Sequence, residues 1–192
     1  VYGYGSLTYS FTDKLKLVGR TSITSYDLLR DEKFPYSAGS YGRDERKGDY
    51  REDRRSLFEN NTDVLLTYNE SFGKIGVNLI GGANIRSFSY RSNYASTDYL
   101  ITPGVYSFTN SLNPARVFSF ESKMGVASAY YSADISLGNI LNITHTGRVD
   151  KISTLPVGNQ TFYYPSLGAN SIITELVDLG PITFLKLRGA YA

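Results

Sequence analysis

Between residues 14 and 26 the chain changes character at every second position. Leu15, Leu17, Gly19, Thr21 and Ile23 fall on one side of an extended backbone, and Lys16, Val18, Arg20, Ser22 and Thr24 fall on the other. The alternation recurs downstream. Phe58, Val64, Leu66 and Tyr68 oppose Glu59, Asn61, Asp63, Thr67 and Asn69, while Ile75, Val77, Leu79, Ala83 and Ile85 oppose Lys74, Asn78, Asn84 and Arg86. Farther on, Leu141 and Ile143 oppose Asn142, Thr144, Thr146 and Arg148. A period of two marks β-strands with one apolar and one polar face.

The pattern predicts four strand pairs: 1–11 with 14–26, 56–69 with 74–90, 116–133 with 140–150, and 162–174 with 182–192. Tight turns join the partners, at Thr12-Asp13-Lys14 and Ser71-Phe72-Gly73, with slightly longer ones at 133–139 and 175–181 broken by Gly138, Gly180 and Pro181. Long connections alternate with the short ones, over 27–55, 91–115 and 151–161. A soluble sandwich also alternates, but its strands usually run about five or six residues. The strands predicted here are longer, and a tilted strand needs roughly 9 to 11 residues to cross the hydrocarbon of a bilayer. Long strands with a short-then-long loop rhythm are the signature of an antiparallel transmembrane β-barrel. In that reading the short turns are periplasmic and the long connections extracellular.

Composition leaves this fold open and closes others. No run of 18 apolar residues is present, which excludes a membrane-spanning helix. The slightly negative mean hydropathy, −0.25, suits a barrel in which only alternate residues face lipid. With no Cys there are no disulfides or thiolate metal sites. A net charge of +2 without a recognition motif gives no case for nucleic acid. The first residues lack a charged region followed by an apolar one, so no signal peptide is read at Val1.

Two connections carry distinctive chemistry. Residues 27–55 hold 16 charged side chains, eight of each sign, and read as a solvated surface loop that meets lipopolysaccharide phosphates or contacts a partner. The second, 91–115, is richer in aromatics. Tyr41 and Arg43 in the first, with Tyr94, Tyr99, Tyr106 and Phe108 in the second, are the candidate ligand- or lid-contacting residues. The candidate lumen-facing residues are Arg20, Glu59, Asp63, Asn78, Asn84, Arg86 and Arg148.

No catalytic constellation emerges, and no cofactor is expected. The single histidine, His145, falls on the apolar side beside Leu141 and Ile143 and reads as an interfacial residue. Glu59 and Asp63, four apart on a strand, lie roughly 13 Å from one another. That is too far for a glycosidase pair. Gly3, Gly5, Gly81 and Gly82 sit inside strands without the strand-turn-helix setting of a nucleotide loop, and are expected to permit sheet curvature or close packing.

Several segments resemble a known family. The residues are Val1-Tyr2-Gly3-Tyr4-Gly5-Ser6-Leu7-Thr8-Tyr9-Ser10-Phe11-Thr12-Asp13-Lys14-Leu15-Lys16-Leu17; Gly147-Arg148-Val149-Asp150 followed by Ser153-Thr154-Leu155-Pro156; Phe162-Tyr163-Tyr164-Pro165-Ser166 with Glu175; and Leu185-Lys186-Leu187-Arg188-Gly189-Ala190-Tyr191-Ala192. In order and spacing they resemble the barrel of SusC/RagA-type TonB-dependent transporters of Bacteroidota. Val149 stands where the family has Asn, and Ile152 where it has Ser.

The resemblance implies a barrel of about 22 strands enclosing a plug, of which this chain supplies eight as an arc, the plug and N-terminal domain lying outside it. An arc alone would expose two unpaired edges to lipid, so a partial chain is expected. The resemblance further implies a SusD-like surface lipoprotein as lid, energy from TonB-ExbB-ExbD through the absent N-terminal part, and lipid and lipopolysaccharide as surroundings in a Gram-negative outer membrane. The expected function is import of a bulky nutrient, an oligosaccharide or peptide. The alternative is a structural or docking subunit of a larger envelope assembly.

Overall fold

The computed structural model describes residues 1–38 and 44–192. Eight strands follow one another: β1 (Tyr2–Ser10), β2 (Leu15–Phe34), β3 (Asp49–Phe72), β4 (Ile75–Leu100), β5 (Ser111–Leu137), β6 (Leu141–Ile152), β7 (Thr161–Ile172) and β8 (Lys186–Tyr191). They form one sheet in the order β1 to β8, each beside its neighbour in sequence. This is an open antiparallel meander, all-β, as an arc of a larger barrel requires. The tight turns are built locally. Thr12 Oγ1 accepts from the amides of Lys14 and Leu15 at 3.2 and 3.0 Å, and Gly73 and Gly138 take φ of +64° and +51°, where a side chain would be strained.

Three of the predicted boundaries are corrected. The connection read over 27–55 is strand at both ends, since β2 continues to Phe34 and β3 starts at Asp49. Likewise β4 runs to Leu100 and β5 starts at Ser111, so the connection read over 91–115 shrinks to 101–110. The reason lies in the order of the charges. On an extended chain residues two apart share a face, and opposite signs alternate at that spacing: Lys33 with Asp31 at 3.2 Å, Arg51 with Asp49 at 3.2 Å, Arg54 with Glu52 at 3.2 Å, Arg55 with Asp53 at 2.5 Å, and Arg30 with Glu32. Apart from Arg51 with the buried Asp49, these pairs reach solvent and contribute at most about 1 kcal/mol each. Their effect is to let a charged segment extend without self-repulsion. The third correction is at β8, which starts at Lys186 because Gly180 (φ +67°) and Pro181 turn Ile182 back to bridge Leu179.

The described residues group into two compact units. The first comprises Val1–Tyr2, Thr24–Glu59 and Phe88–Lys123. It holds both of the buried hydrophobic residues found among the described ones, Tyr50 and Leu100, together with buried Asp49, Ser96, Thr97 and Asn110. Thr97 Oγ1 donates to Asp49 Oδ1 at 2.8 Å and accepts from the Tyr50 amide at 2.8 Å. Gly48 (φ +63°) closes this cluster, since a Cβ there would stand 2.5 Å from the Phe34 carbonyl oxygen. Asn110 ties the 101–110 turn to itself by donating to the carbonyls of Thr102 and Val105 at 2.9 and 2.7 Å and accepting from the Thr102 amide at 3.0 Å.

The second unit comprises Gly3–Ile23, Asn60–Ser87 and Met124–Ala192. It contains no buried hydrophobic residue among those described, and its buried polar residues are Asn84 and Ser128. Leu7, Val64, Leu66, Leu79, Ile85, Ile135, Ile143 and Leu167 are all exposed. A water-soluble sheet would cover such a surface with a second layer. Among the described residues of this unit, only a short 3-10 turn at Ile173–Glu175 and connecting segments accompany the sheet.

Candidate functional site

The register sets which side chains share a face. Across β5, β6 and β7, Tyr130 stands opposite Arg148 and Tyr164, Ser132 opposite Thr146 and Ser166, and Asp134 opposite Thr144 and Gly168. The intervening rows are apolar: Ala133 with His145 and Leu167, and Ile135 with Ile143 and Ala169. Extending β7 to β8 adds Tyr191 and Gly189 to those same apolar rows. The polar rows carry two bonded clusters, each centred on a carboxylate.

Asp63 on β3 is the first centre. It accepts from Asn84 Nδ2 on β4 at 2.9 Å and from the Tyr130 hydroxyl on β5 at 3.3 Å, and it pairs with Arg20 Nε on β2 at 3.4 Å. Asn84 is buried and also donates to Asn61 Oδ1 at 2.7 Å. Asp134 on β5 is the second, accepting from Thr144 on β6 at 2.5 Å, from Ser132 at 3.3 Å and from Asn78 on β4 at 3.5 Å. Arg148 then spans β6 and β5, donating to Asp150 at 2.7 Å and to Ser128 at 3.0 Å, with its guanidinium 5.8 Å from the Tyr130 ring centre. Charge-assisted bonds contribute roughly 1.5 to 3 kcal/mol each. One carboxylate that draws on three other strands ties the sheet sideways where no apolar core does.

Together Arg20, Asn61, Asp63, Asn84, Arg86, Tyr130 and Arg148 line an open cleft of about 650 Å³. The expected residues Arg20, Asp63, Asn84, Arg86 and Arg148 are thus brought together, and Asn78 joins through Asp134. Glu59 belongs to the first unit, half-buried, and is not part of this cleft.

The opposite face has its own small polar island. Tyr131 Oη lies 3.1 Å from His145 Nδ1 and 3.3 Å from Tyr163 Oη, so the histidine expected at an interface is held by the Tyr131 phenol, which is itself bonded to the Tyr163 phenol. The in-strand glycines make room for such rings. A Cβ on Gly147 would lie 2.4 Å from the Tyr131 ring, and one on Gly82 would lie 2.6 Å from the Tyr130 ring. Gly82 therefore admits a cross-strand tyrosine, whereas Gly3, Gly5 and Gly81 have open space where a side chain would be.

In the first unit the loop aromatics divide. Phe108 packs on Tyr50 with ring centres 4.9 Å apart, and Tyr99, at φ +66°, accepts from the Glu45 amide at 3.4 Å with Lys47 5.9 Å above its ring. These two support the connection that they were expected to offer to a ligand. Tyr94 and Tyr106 are half-buried, and Tyr41 and Arg43 lie outside the described residues. The Tyr50 hydroxyl donates to Glu52 Oε1 at 2.6 Å, and this bond, reinforced by burial, pushes its pKa up to about 12.

No family model matches the chain, and no curated protein sequence matches it. Solved structures do. A chain of the RagAB peptide transporter superposes with a TM-score of 0.83 at 12% identity, over 98% of this chain and 23% of that one. The fold is shared with RagAB. The RagAB peptide importer in its closed-closed state gives a TM-score of 0.83 at 12% identity over 98% of this chain and 22% of that one, and the open-open state gives 0.73 at 14% over the same shares. The chain therefore spans less than a quarter of the RagAB chains that it matches.

Within this RagAB-like sheet, sequence reading missed Tyr130, Asp134, Ser128 and Asp150. The signal was present in β5, where Ser128, Tyr130, Ser132, Asp134 and Ser136 alternate with Ala129, Tyr131, Ala133, Ile135 and Leu137. The adjacent Tyr130 and Tyr131 blur the contrast, because a tyrosine ring suits either face and its hydroxyl joins whichever network the register offers.

Proposed function

We propose that this chain is part of the wall of a TonB-dependent importer in a Gram-negative outer membrane, of the kind found in Bacteroidota, with its apolar face toward lipid and its polar face toward the lumen. The observation that carries this reading is the separation of faces in the second unit, which buries no hydrophobic residue among those described: large apolar side chains are exposed on one side and carboxylate-guanidinium pairs lie on the other. Exposed apolar area of that extent is stable in hydrocarbon and aggregation-prone in water. The likeness to RagAB supports a transporter fold, and that protein's being a peptide transporter supports a peptide as the bulky solute, with an oligosaccharide as the other nutrient of this reading.

In a meander the connections 35–48, 101–110 and 153–160 all leave one end of the sheet, and these would face outward. A SusD-like lipoprotein would cover that end, and TonB-ExbB-ExbD would act through another part of the protein. The test is uptake of fluorescent oligopeptides and oligosaccharides by cells with and without the gene, with and without a proton-motive force. Loss of energy-dependent uptake on deletion is expected. Unchanged uptake together with a leaky or mis-assembled envelope would overturn import in favour of a docking subunit.

A further inference from the structure

The apolar face of the second unit ends in a cleft. It is open, about 410 Å³ in volume, and lined by Ile85 on β4, by Gly125 and Ala127 on β5, and by Lys151, Ser153 and Gln160 at the end of β6 and in the connection that follows. Ala127 stands opposite Lys151, and the next row on the same face sets Ala129 beside Val149 and Tyr163. The floor is therefore apolar and the mouth polar. Bonds fix that mouth: the Gly125 amide donates to Ser153 Oγ at 2.8 Å, the Ser153 amide to the Gly125 carbonyl at 2.9 Å, and Gln160 Nε2 to the Leu155 carbonyl at 2.9 Å. Lys151 is exposed and forms no ion pair among the described residues, whereas Arg86, which also touches the rim, is already partnered. Lys151 stands ten positions beyond Leu141, the first residue of β6. At roughly 3.4 Å per residue and a tilt of about 40°, that rise is about 25 Å, the height of the apolar band of a barrel. The ammonium sits where hydrocarbon gives way to headgroups.

We infer that this cleft binds the phosphorylated lipid A of the outer leaflet, with a phosphate on Lys151 and an acyl chain laid over Gly125 and Ala127. The inference rests on the lipid-facing assignment and the orientation proposed above, and it names a lipid for one place on that face. Charge complementarity selects the headgroup, since an ammonium without a carboxylate partner is matched by a phosphate in a charge-assisted bond. Neutral donors stand beside it. Ser153 Oγ accepts from the Gly125 amide and keeps its own O–H, and the Gln160 amide has a second N–H beyond the one given to Leu155. Shape selects the tail. With no side chain at Gly125 and only a methyl group at Ala127, a straight acyl chain can lie close to the sheet against Ile85, which is 64% exposed. A chain leaving bulk lipid gains nothing from the hydrophobic effect, so this packing and the headgroup bond decide the affinity. The connection 153–160 leaves the end proposed to face outward, which puts the mouth in the leaflet that holds lipid A.

The experiment uses the full-length protein purified from outer membranes in mild detergent, with lipid retention read by native mass spectrometry. The probes are diphosphorylated lipid A, its dephosphorylated form and phosphatidylglycerol, and every variant is first checked as a folded, heat-modifiable barrel. Wild type is expected to retain diphosphorylated lipid A at least about tenfold over the dephosphorylated form, as one charge-assisted bond implies. Lys151→Gln should lose most of that preference, and Lys151→Arg should keep it. Ala127→Phe, which fills the cleft, should lower the retention of both forms alike. Equal retention of the two forms by wild type would overturn the inference. So would a preference that survives Lys151→Gln, because the lipid would then be ordinary boundary lipid. Stronger retention of phosphatidylglycerol, or a disulfide between two copies carrying Ala127→Cys, would assign the cleft to another occupant and overturn it as well. Selective retention by a protein that imports nothing would leave this site standing and remove the import reading. Recovery of the wild type outside the outer membrane would overturn both.

Discussion

Tyr50 shows how one side chain links the charged segment to the buried cluster beside it. Its ring is buried against Phe108, and its hydroxyl is committed to Glu52. Because the hydrogen bond to Glu52 and burial raise its pKa from 10.0 to about 12, the folded state keeps a proton that the unfolded state gives up. The stability from this source is complete below about pH 10 and is lost as pH rises through about 12. In an absorbance titration of the tyrosines, Tyr50→Phe should delete a late component near pH 12 and nothing earlier. A variant whose titration curve loses its component near pH 10 instead would show that the phenol is not held by Glu52.

Adjacent residues on one strand should differ sharply in what they tolerate. Leu79 on β4 is 41% exposed on the apolar face, and its neighbour Asn78 donates to Asp134 on the polar one. An arginine facing lipid near the midplane costs about 2 to 4 kcal/mol, and one facing a watery lumen costs little. Leu79→Arg should therefore cut the yield of heat-modifiable barrel in outer-membrane fractions, while Asn78→Arg should leave it near wild type. Equal yields would mean that neither face meets lipid, and the reverse order would mean that the two faces are assigned the wrong way round. The same alternation accounts for the extended charged segments of β2 and β3, which remain strands because their signs alternate with the pleat.

For the molecule in its membrane, the meander sets a polarity. In an antiparallel meander successive connections alternate between the two ends of the sheet, so on the proposed reading the tight turns at Thr12-Asp13-Lys14 and Gly138-Asn139-Ile140 face the periplasm and the longer connections face outward. Cysteines placed at Val105 (47% exposed) and Val157 (95% exposed) should react with a membrane-impermeant thiol reagent on intact cells. Cysteines at Asp13 and Asn139 should react only after the outer membrane is opened. Labelling of Asp13 in unbroken cells would invert the orientation and with it the end assigned to the lid.

Strand number, strand order and the side of the sheet to which Arg20, Asp63, Asn84 and Arg148 belong were legible along the chain, because a period of two is a local property of extended backbone and needs no knowledge of neighbours. Strand ends within 27–55 were not legible, since a charged run reads as loop until its signs are seen to cancel two residues apart on one face. Nor was the partnership of Asp63 with Tyr130, 67 residues away, or the seating of the Tyr131 ring over Gly147. Those depend on register, and a slip of one residue would send every side chain to the opposite face. Pairing between strands decides which groups meet, and it is a property of the assembled sheet.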